Sequence, residues 1–253
     1  MTSTPFGDLL WTLVRTDFKS RYHGSFGGLV WALLKPLAMF IVLVAVFSFV
    51  FKTEPQYRFN LVIGIFLFDF FADATKTGFI SLWSKRFLVT KIHCPIWVLV
   101  VSSISNALIT LLIFSTLTLT ALLYAGRPPS FLHVGLFVWY LAHYVFVVTG
   151  ISLAASVMWV RYRDLNQLWD VAIQAGFFLA PIVYPIGVIP ERFHKYLYLW
   201  PPTPIIQFSR AVLVDGTVPT FRAHVLLTTF SSLILLTGAA IFTRYSPRAA
   251  EYL

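Results

Sequence analysis

The sequence predicts an all-α integral membrane protein of six transmembrane helices, with an N-terminal amphipathic helix at the interface and short re-entrant helices between spans five and six. Three observations carry that expectation. First, 58% of the 253 residues are hydrophobic and 11% are charged, whereas an ordinary soluble domain holds roughly 25% charged residues. A soluble fold of this length needs a charged shell, and 29 charged side chains spread between long apolar runs cannot form one. Second, six segments, at about 30–51, 59–80, 96–124, 131–160, 168–185 and 222–243, approach the ~20 apolar residues that a helix needs to cross a hydrocarbon core. Third, the basic residues alternate between the two sides that these segments define. Arg15, Lys19, Arg21, Lys35, Lys76, Lys85, Arg86, Lys91, Arg161, Arg163, Arg244 and Arg248 fall on one side, 12 of the 19 cations. That excess marks the cytoplasmic face and places both termini there, as an even number of crossings requires. The whole of 1–253 then reads as one transmembrane domain in the cytoplasmic, or inner, membrane.

The net charge of +9 lies in the loops between spans, so it sets orientation and gives no sign of a nucleic-acid partner. Cys94 is the only cysteine, which excludes an internal disulfide. Residues 1–28 contain no apolar core followed by a small-residue cleavage site, so the first span is expected to direct its own insertion.

Residues 8–22 are too polar to cross. Leu10, Leu13, Val14 and Phe18 recur at helical spacing with Trp11 alongside, and Asp8, Thr12, Arg15 and Lys19 line the other face. This pattern predicts a helix lying in the interface, its apolar face in the acyl boundary and its cations toward anionic headgroups of the membrane lipids. Gly24, Gly27 and Gly28 would let the chain turn upright, and Pro36 is tolerated in the first turns of a span. Periodicity fits a passive anchor and a force-transmitting lever equally.

In the second span Asp69 and Asp73 lie one turn apart. Each costs about 2.5–3.5 kcal/mol at a helix centre, while the nine Leu, Ile, Val and Phe residues of 61–71 together return roughly 4 kcal/mol. The acids therefore cannot face lipid at mid-depth. They face the protein interior or a wet cavity, or sit nearer a membrane surface, and Asp73 could pair with Lys76 three residues on. Another reading makes them the acid/base pair of a membrane-embedded enzyme, since carboxylates one turn apart could share a proton.

Residues 84–95 combine Lys85, Arg86 and Lys91 with Phe87, Leu88, Val89 and Ile92. The segment reads as a positive-inside loop or as an amphipathic element that docks into a groove on a soluble subunit. His93 and Cys94 have no further ligands nearby, so no metal site is expected. His143 in the fourth span reads as a hydrogen-bonded structural histidine or a proton relay. Seven of the 14 prolines lie between 181 and 219 in a stretch rich in Tyr, Ile, Leu, Val and Trp. Two short helices at about 189–199 and 204–214, within a re-entrant region 186–215, would suit it, and non-helical backbone at that depth must be buried in protein or line a water-filled cavity. The stretch reads as an outer gate, with Tyr184 and Trp200 as its candidates, or as a passive lid packed on the spans. Of the 44 aromatic residues, Trp and Tyr are ordinary interface anchors and Phe in a span is ordinary packing.

"RYHGSFGGLVWALLKPL" (Arg21 to Leu37), "LVTKIHCPIWVL" (Leu88 to Leu99), "RYRDLNQLW" (Arg161 to Trp169) and "APIVYPIGVIPE…WPPTPIIQFSRAVL" (Ala180 to Leu213) occur in a distinctive order and spacing. Together they resemble the permease subunits of bacterial ATP-binding-cassette polysaccharide exporters, the O-antigen, capsule and teichoic-acid systems. Two stretches depart from that pattern: "HCP" at His93 to Pro95, where an aromatic residue usually precedes the proline, and "WPPTP" at Trp200 to Pro204, where Asn-Pro is usual.

The resemblance implies a homodimer bound to two copies of a separate ATPase, which binds the ATP and Mg that this chain does not, and a lipid-linked glycan moved outward. The absence of any G-x-x-x-x-G-K-[ST] stretch agrees with an engine in trans. It further implies that the N-terminal helix and the 84–95 loop, through Arg15, Lys19, Arg21, Lys85, Arg86 and Lys91, contact the ATPase. Arg161, Arg163 and Asp164 become candidates for a cytoplasmic gate or for contacts with lipid phosphate, to which the planar arginine fork is suited, or else a snorkelling cluster that fixes helix depth. A permease of the same plan carrying a drug or a lipid is the alternative cargo reading.

Overall fold

The computed structural model describes residues 5–22, 28–50, 56–91 and 95–251, and every regular element among them is helical. The helices are α1 (Pro5–Tyr22), α2 (Gly28–Phe47), α3 (Tyr57–Phe79), α4 (Ser81–Ser84), α5 (Arg86–Lys91), α6 (Trp97–Tyr124), α7 (Phe131–Arg161), α8 (Leu165–Leu179), α9 (Glu191–Leu197), α10 (Pro202–Arg210) and α11 (Phe221–Glu251). α1 and the last turns of α11 meet at one end of the bundle, here called the base, where Leu13, Leu82, Val98, Leu99, Val157 and Phe242 form a buried cluster. α9 and α10 sit at the opposite end, the crown.

Four helices are long and apolar enough to cross a membrane, over Val30–Phe47, Trp97–Tyr124, Phe131–Arg161 and Phe221–Pro247. The other two expected spans differ for identifiable reasons. α3 has 23 residues, enough length, but Asp69, Asp73 and Lys76 lower its apolar content. α8 stops after 15 residues, short of the expected 185. Pro181 forces this: it lacks an N–H for the helical ladder and pushes Ala180 to an extended ψ of 125°. The crown helices are likewise shorter than expected. Glu191–Leu197 has 7 residues and Pro202–Arg210 has 9, the latter begun by proline at its first position and followed by a wide turn over Ala211–Asp215.

The apolar face of α1 does not point only at lipid. Leu9, Leu10 and Leu13 pack on the base cluster, while Trp11 stays 68% exposed. Between α1 and α2, Gly24 and Gly27 lie outside the described residues. At Gly28 a Cβ would come within 2.7 Å of the Tyr22 carbonyl oxygen, so this turn needs glycine.

α7 and α11 cross at glycines. A Cβ on Gly238 would sit 2.7 Å from Gly150 Cα, and one on Gly150 would sit 2.8 Å from Leu235 Cα, so the two backbones touch without side chains between them. Next to this crossing the buried His143 shares a hydrogen bond with Ser231 through Nδ1, 2.8 Å apart. His143 is thus a structural tie between α7 and α11. Substituting Gly238→Leu should force the helices apart and cost about 1–3 kcal/mol or more, read as a lower unfolding midpoint of the detergent-purified protein, whereas Gly135→Ala, which meets nothing within 4 Å, should leave the midpoint nearly unchanged.

Candidate functional site

Among the described residues, four ion pairs in the lower half of the bundle each join two different elements. The Lys85 ammonium, in the one-residue link between α4 and α5, lies 2.5 Å from Asp17 of α1, 2.6 Å from Ser102 Oγ and 3.3 Å from the Leu99 carbonyl of α6. Its side chain is only 10% exposed. Burial pushes its pKa below the ordinary lysine range, and the hydrogen bond and charge of Asp17 oppose that shift. An ammonium so placed needs all three acceptors, so docking of α1 follows from the position of Lys85.

Arg21, in the last turn of α1, donates through Nη2 to both carboxylate oxygens of Asp73, at 2.8 and 2.9 Å. Burial lowers the Arg21 pKa, and the Asp73 hydrogen bond and charge outweigh that effect, holding it above its ordinary value. Lys35 of α2 lies 3.8 Å from Asp69, and Lys76 lies 2.8 Å from Asp170 of α8. The expected Asp73–Lys76 pair is therefore not formed: each finds a partner on another helix, which lets three helices and α1 share charges that one helix would otherwise keep to itself. Asp69 and Asp73 each face a separate cation and do not form a carboxylate pair sharing a proton. A small void beside them, about 10 Å³, is lined by Phe66, Phe70, Thr110 and Phe114.

At the base, Arg161, Arg163 and Asp164 lie together on the rim of a cleft of about 620 Å³, whose apolar walls are Met158, Leu165 and Leu168. Arg163 and Arg86 converge on one aromatic ring, their guanidinium carbons 4.5 and 4.7 Å from the centre of Trp83. Trp83, on α4, meets the edge of Trp159 of α7 at 6.2 Å. Arg15 and Lys19 are exposed on α1. Lys91 ends α5, its side chain outside the described residues along with His93 and Cys94.

Tyr184 and Trp200 belong to the crown and are held from within. The Tyr184 hydroxyl donates to the Phe178 carbonyl at 2.8 Å. Trp200 packs against Gly176, with its ring centre 5.8 Å from Phe71 and 6.3 Å from Trp169. The residue that organises this end is Arg210, buried at 5% exposure. Its guanidinium donates to the carbonyls of Pro181 at 2.5 Å, Asn60 at 2.8 Å and Ile182 at 2.9 Å. The Tyr57 hydroxyl donates to the next carbonyl, Val183, at 2.9 Å. Gln56, with its amide turned to suit its neighbours, bridges Asp215 and Val214 at 3.0 Å each to Arg127 at 3.1 Å. Arg210 and Tyr57 thus satisfy three consecutive carbonyls of the non-helical turn that follows α8.

Sequence reasoning named Asp69, Asp73 and the basic residues of the base but missed Arg210, Trp83 and Asp170. The cost argument applied to the second span would have flagged Asp170 inside the fifth, and an arginine in the apolar run that follows Pro204 was the signal for Arg210. Nothing in the sequence points to Trp83.

The profile of one protein family, described as ABC-2 type transporter, matches residues 8–214. The chain belongs to that family. It is a membrane permease component of a transporter and not a catalytic subunit. This ABC-2 protein is 27% identical over 247 residues to the O-antigen export system permease protein RfbA of Myxococcus xanthus, covering 96% of this chain and 94% of that one. It is 26% identical over 249 residues to RfbA of Klebsiella pneumoniae, covering 97% and 95%. It is 20% identical over 234 residues to the polysialic acid transport protein KpsM of Escherichia coli, covering 89% of each.

The Arg21–Asp73 pair should behave as a unit. Arg21→Gln and Asp73→Asn should each lower the unfolding midpoint, and the double variant should cost less than their sum by about 1 kcal/mol, whereas Asp73→Asn with Lys76→Gln should be additive.

Proposed function

We propose that this chain is the membrane subunit of an exporter that moves a lipid-linked polysaccharide, O-antigen-like or capsular, across the cytoplasmic membrane, driven by ATP hydrolysis in a separate nucleotide-binding subunit. The observation that carries this reading is similarity along nearly the full length to permeases named for O-antigen export and polysialic acid transport. Two permease chains and two ATPase copies form the working complex, and ATP and Mg bind in the ATPase.

On this reading α2, α3, α6, α7, α8 and α11 are the six spans, with both termini cytoplasmic. The base then faces the cytoplasm, in agreement with the 12 cations on that side. α8 completes its crossing with the non-helical turn after Leu179, which is buried in protein as backbone at membrane depth must be. The crown helices over 186–215 form a re-entrant outer gate, with Tyr184 and Trp200 at its inner wall.

The exposed surface favours a homodimer with the path between copies. From 97 to 126, from 128 to 160 and from 223 to 243 the sequence holds no Asp, Glu, Lys or Arg, and exposed residues there include Leu112, Val138, Phe146, Leu233 and Leu236, a surface suited to lipid. The opposite side, made by α2, α3 and α8, carries Lys35 with its side chain 85% exposed, Lys76 at 52% and Asp170 at 37%. Charges so exposed within spans belong against water or protein. Lys35, Asp69, Asp73 and Lys76 then line the lower part of the path. The cleft of Arg161, Arg163 and Asp164 receives the lipid phosphate, bidentate guanidinium above and apolar wall below. Arg15, Lys19 and Arg21 of α1 and Lys85, Arg86 and Lys91 of the 84–95 segment form the docking surface for the ATPase.

Affinity purification from native membranes should recover a nucleotide-binding subunit with this chain, and the chain alone should hydrolyse no ATP. Deleting the gene should remove one glycan from the cell surface while its lipid-linked precursor accumulates inside. Recovery of no such subunit, or a surface with its glycans unchanged, would overturn the reading.

A further inference from the structure

Trp83 joins two surfaces to which the proposed function gives separate roles. Arg86 begins α5, in the segment that docks the ATPase, and Arg163 stands in the short link between α7 and α8, on the rim of the phosphate cleft. They are 77 residues apart in sequence, yet both guanidinium carbons lie within 5 Å of the same ring centre. The ring is the fixed member of the three. Its neighbours Ser81 and Leu82 are buried at 0% and 1% exposure, and its edge rests on Trp159. The two arginines sit on short connections, the kind of element that shifts most easily.

A guanidinium stacked on an aromatic face keeps its N–H edge free, so Arg163 can hold the ring and still present a fork to an anion. The indole face thereby fixes the plane in which that fork points. Both cations are attracted to the quadrupole of this one ring, so a displacement of α5 that draws Arg86 off it changes how firmly the ring holds Arg163.

We propose that Trp83 is the positioning residue through which docking of the ATPase at Arg86 sets the orientation of Arg163 in the cleft. This rests on the transport reading given above. The role belongs to the π-face of the ring and not to its bulk, which makes it separable from packing.

The test is to place tryptophan carrying one, two and three ring fluorines at position 83 and to reconstitute the complete permease–ATPase complex in vesicles containing the lipid-linked glycan. Fluorination weakens the attraction for cations stepwise with little change of shape. Glycan exported per ATP hydrolysed should fall with each fluorine, reaching about a tenfold loss for the trifluorinated ring. Trp83→Phe should retain more coupling than Trp83→Leu, and Arg86→Gln and Arg163→Gln should be non-additive with tryptophan present and additive with leucine in its place. A flat response across the fluorine series overturns the proposal, as does equal coupling for the phenylalanine and leucine variants. If the leucine variant does not accumulate, the fluorine series decides alone. Failure of the wild-type complex to export any lipid-linked glycan while it hydrolyses ATP would overturn the functional reading instead, and stimulation of ATP hydrolysis across the same series would then decide the role of Trp83.

Discussion

A buried ammonium fixes the geometry of the base. Lys85, 10% exposed, has three acceptors on two helices, and one of them, Asp17, lies 68 residues away on α1. Removing one partner from a buried charge costs far more than the pair contributes, because the other charge remains where water cannot reach it. α1 is therefore fastened to the bundle by a bond that it cannot easily exchange for solvent. From this follows the placement of Arg21 beside Asp73, since both acidic and basic side chains project from one docked helix. α1 is thus held to the bundle by charge as well as by its apolar face.

At the crown the constraint is the reverse: too few donors. Proline supplies no N–H, and α8 ends against Pro181, so the non-helical residues that follow have no helical ladder to meet their carbonyls. Arg210 and the Tyr57 hydroxyl together meet the carbonyls of three consecutive residues, Pro181, Ile182 and Val183. A guanidinium serves here as a source of many donors on a rigid fork, and its burial is tolerated because its hydrogen-bonding edge is occupied. The irregular turn is thus as well satisfied as a helix would be, which is what allows it to sit among apolar side chains.

Much of the architecture was legible in the sequence because the signals were local. Apolar run lengths located α2, α6 and α7 to within a few residues and the start of α11, though not its end, helical spacing located α1, and the acids of α3 announced by their cost that they needed company. What was not legible was the identity of that company. Lys76 is the partner that Asp73 has in sequence, but Arg21, 52 residues away, is the one it has in space. No periodic rule reaches that far. The length of α8 was misjudged because hydropathy counts Pro181 and Pro185 among acceptable neighbours while the backbone does not, and Trp83 was invisible because its value lies in the two cations that tertiary structure brings to it.

The bare backbone contact between Gly150 and Gly238 has a mechanical meaning as well. Two helices seated that closely cannot slide without one carbonyl row riding over the other, so α7 and α11 form a keel. α2 has almost no such seating, with 11% of its spanning stretch buried. A displacement of α2 would therefore break fewer contacts within this chain than one between α7 and α11.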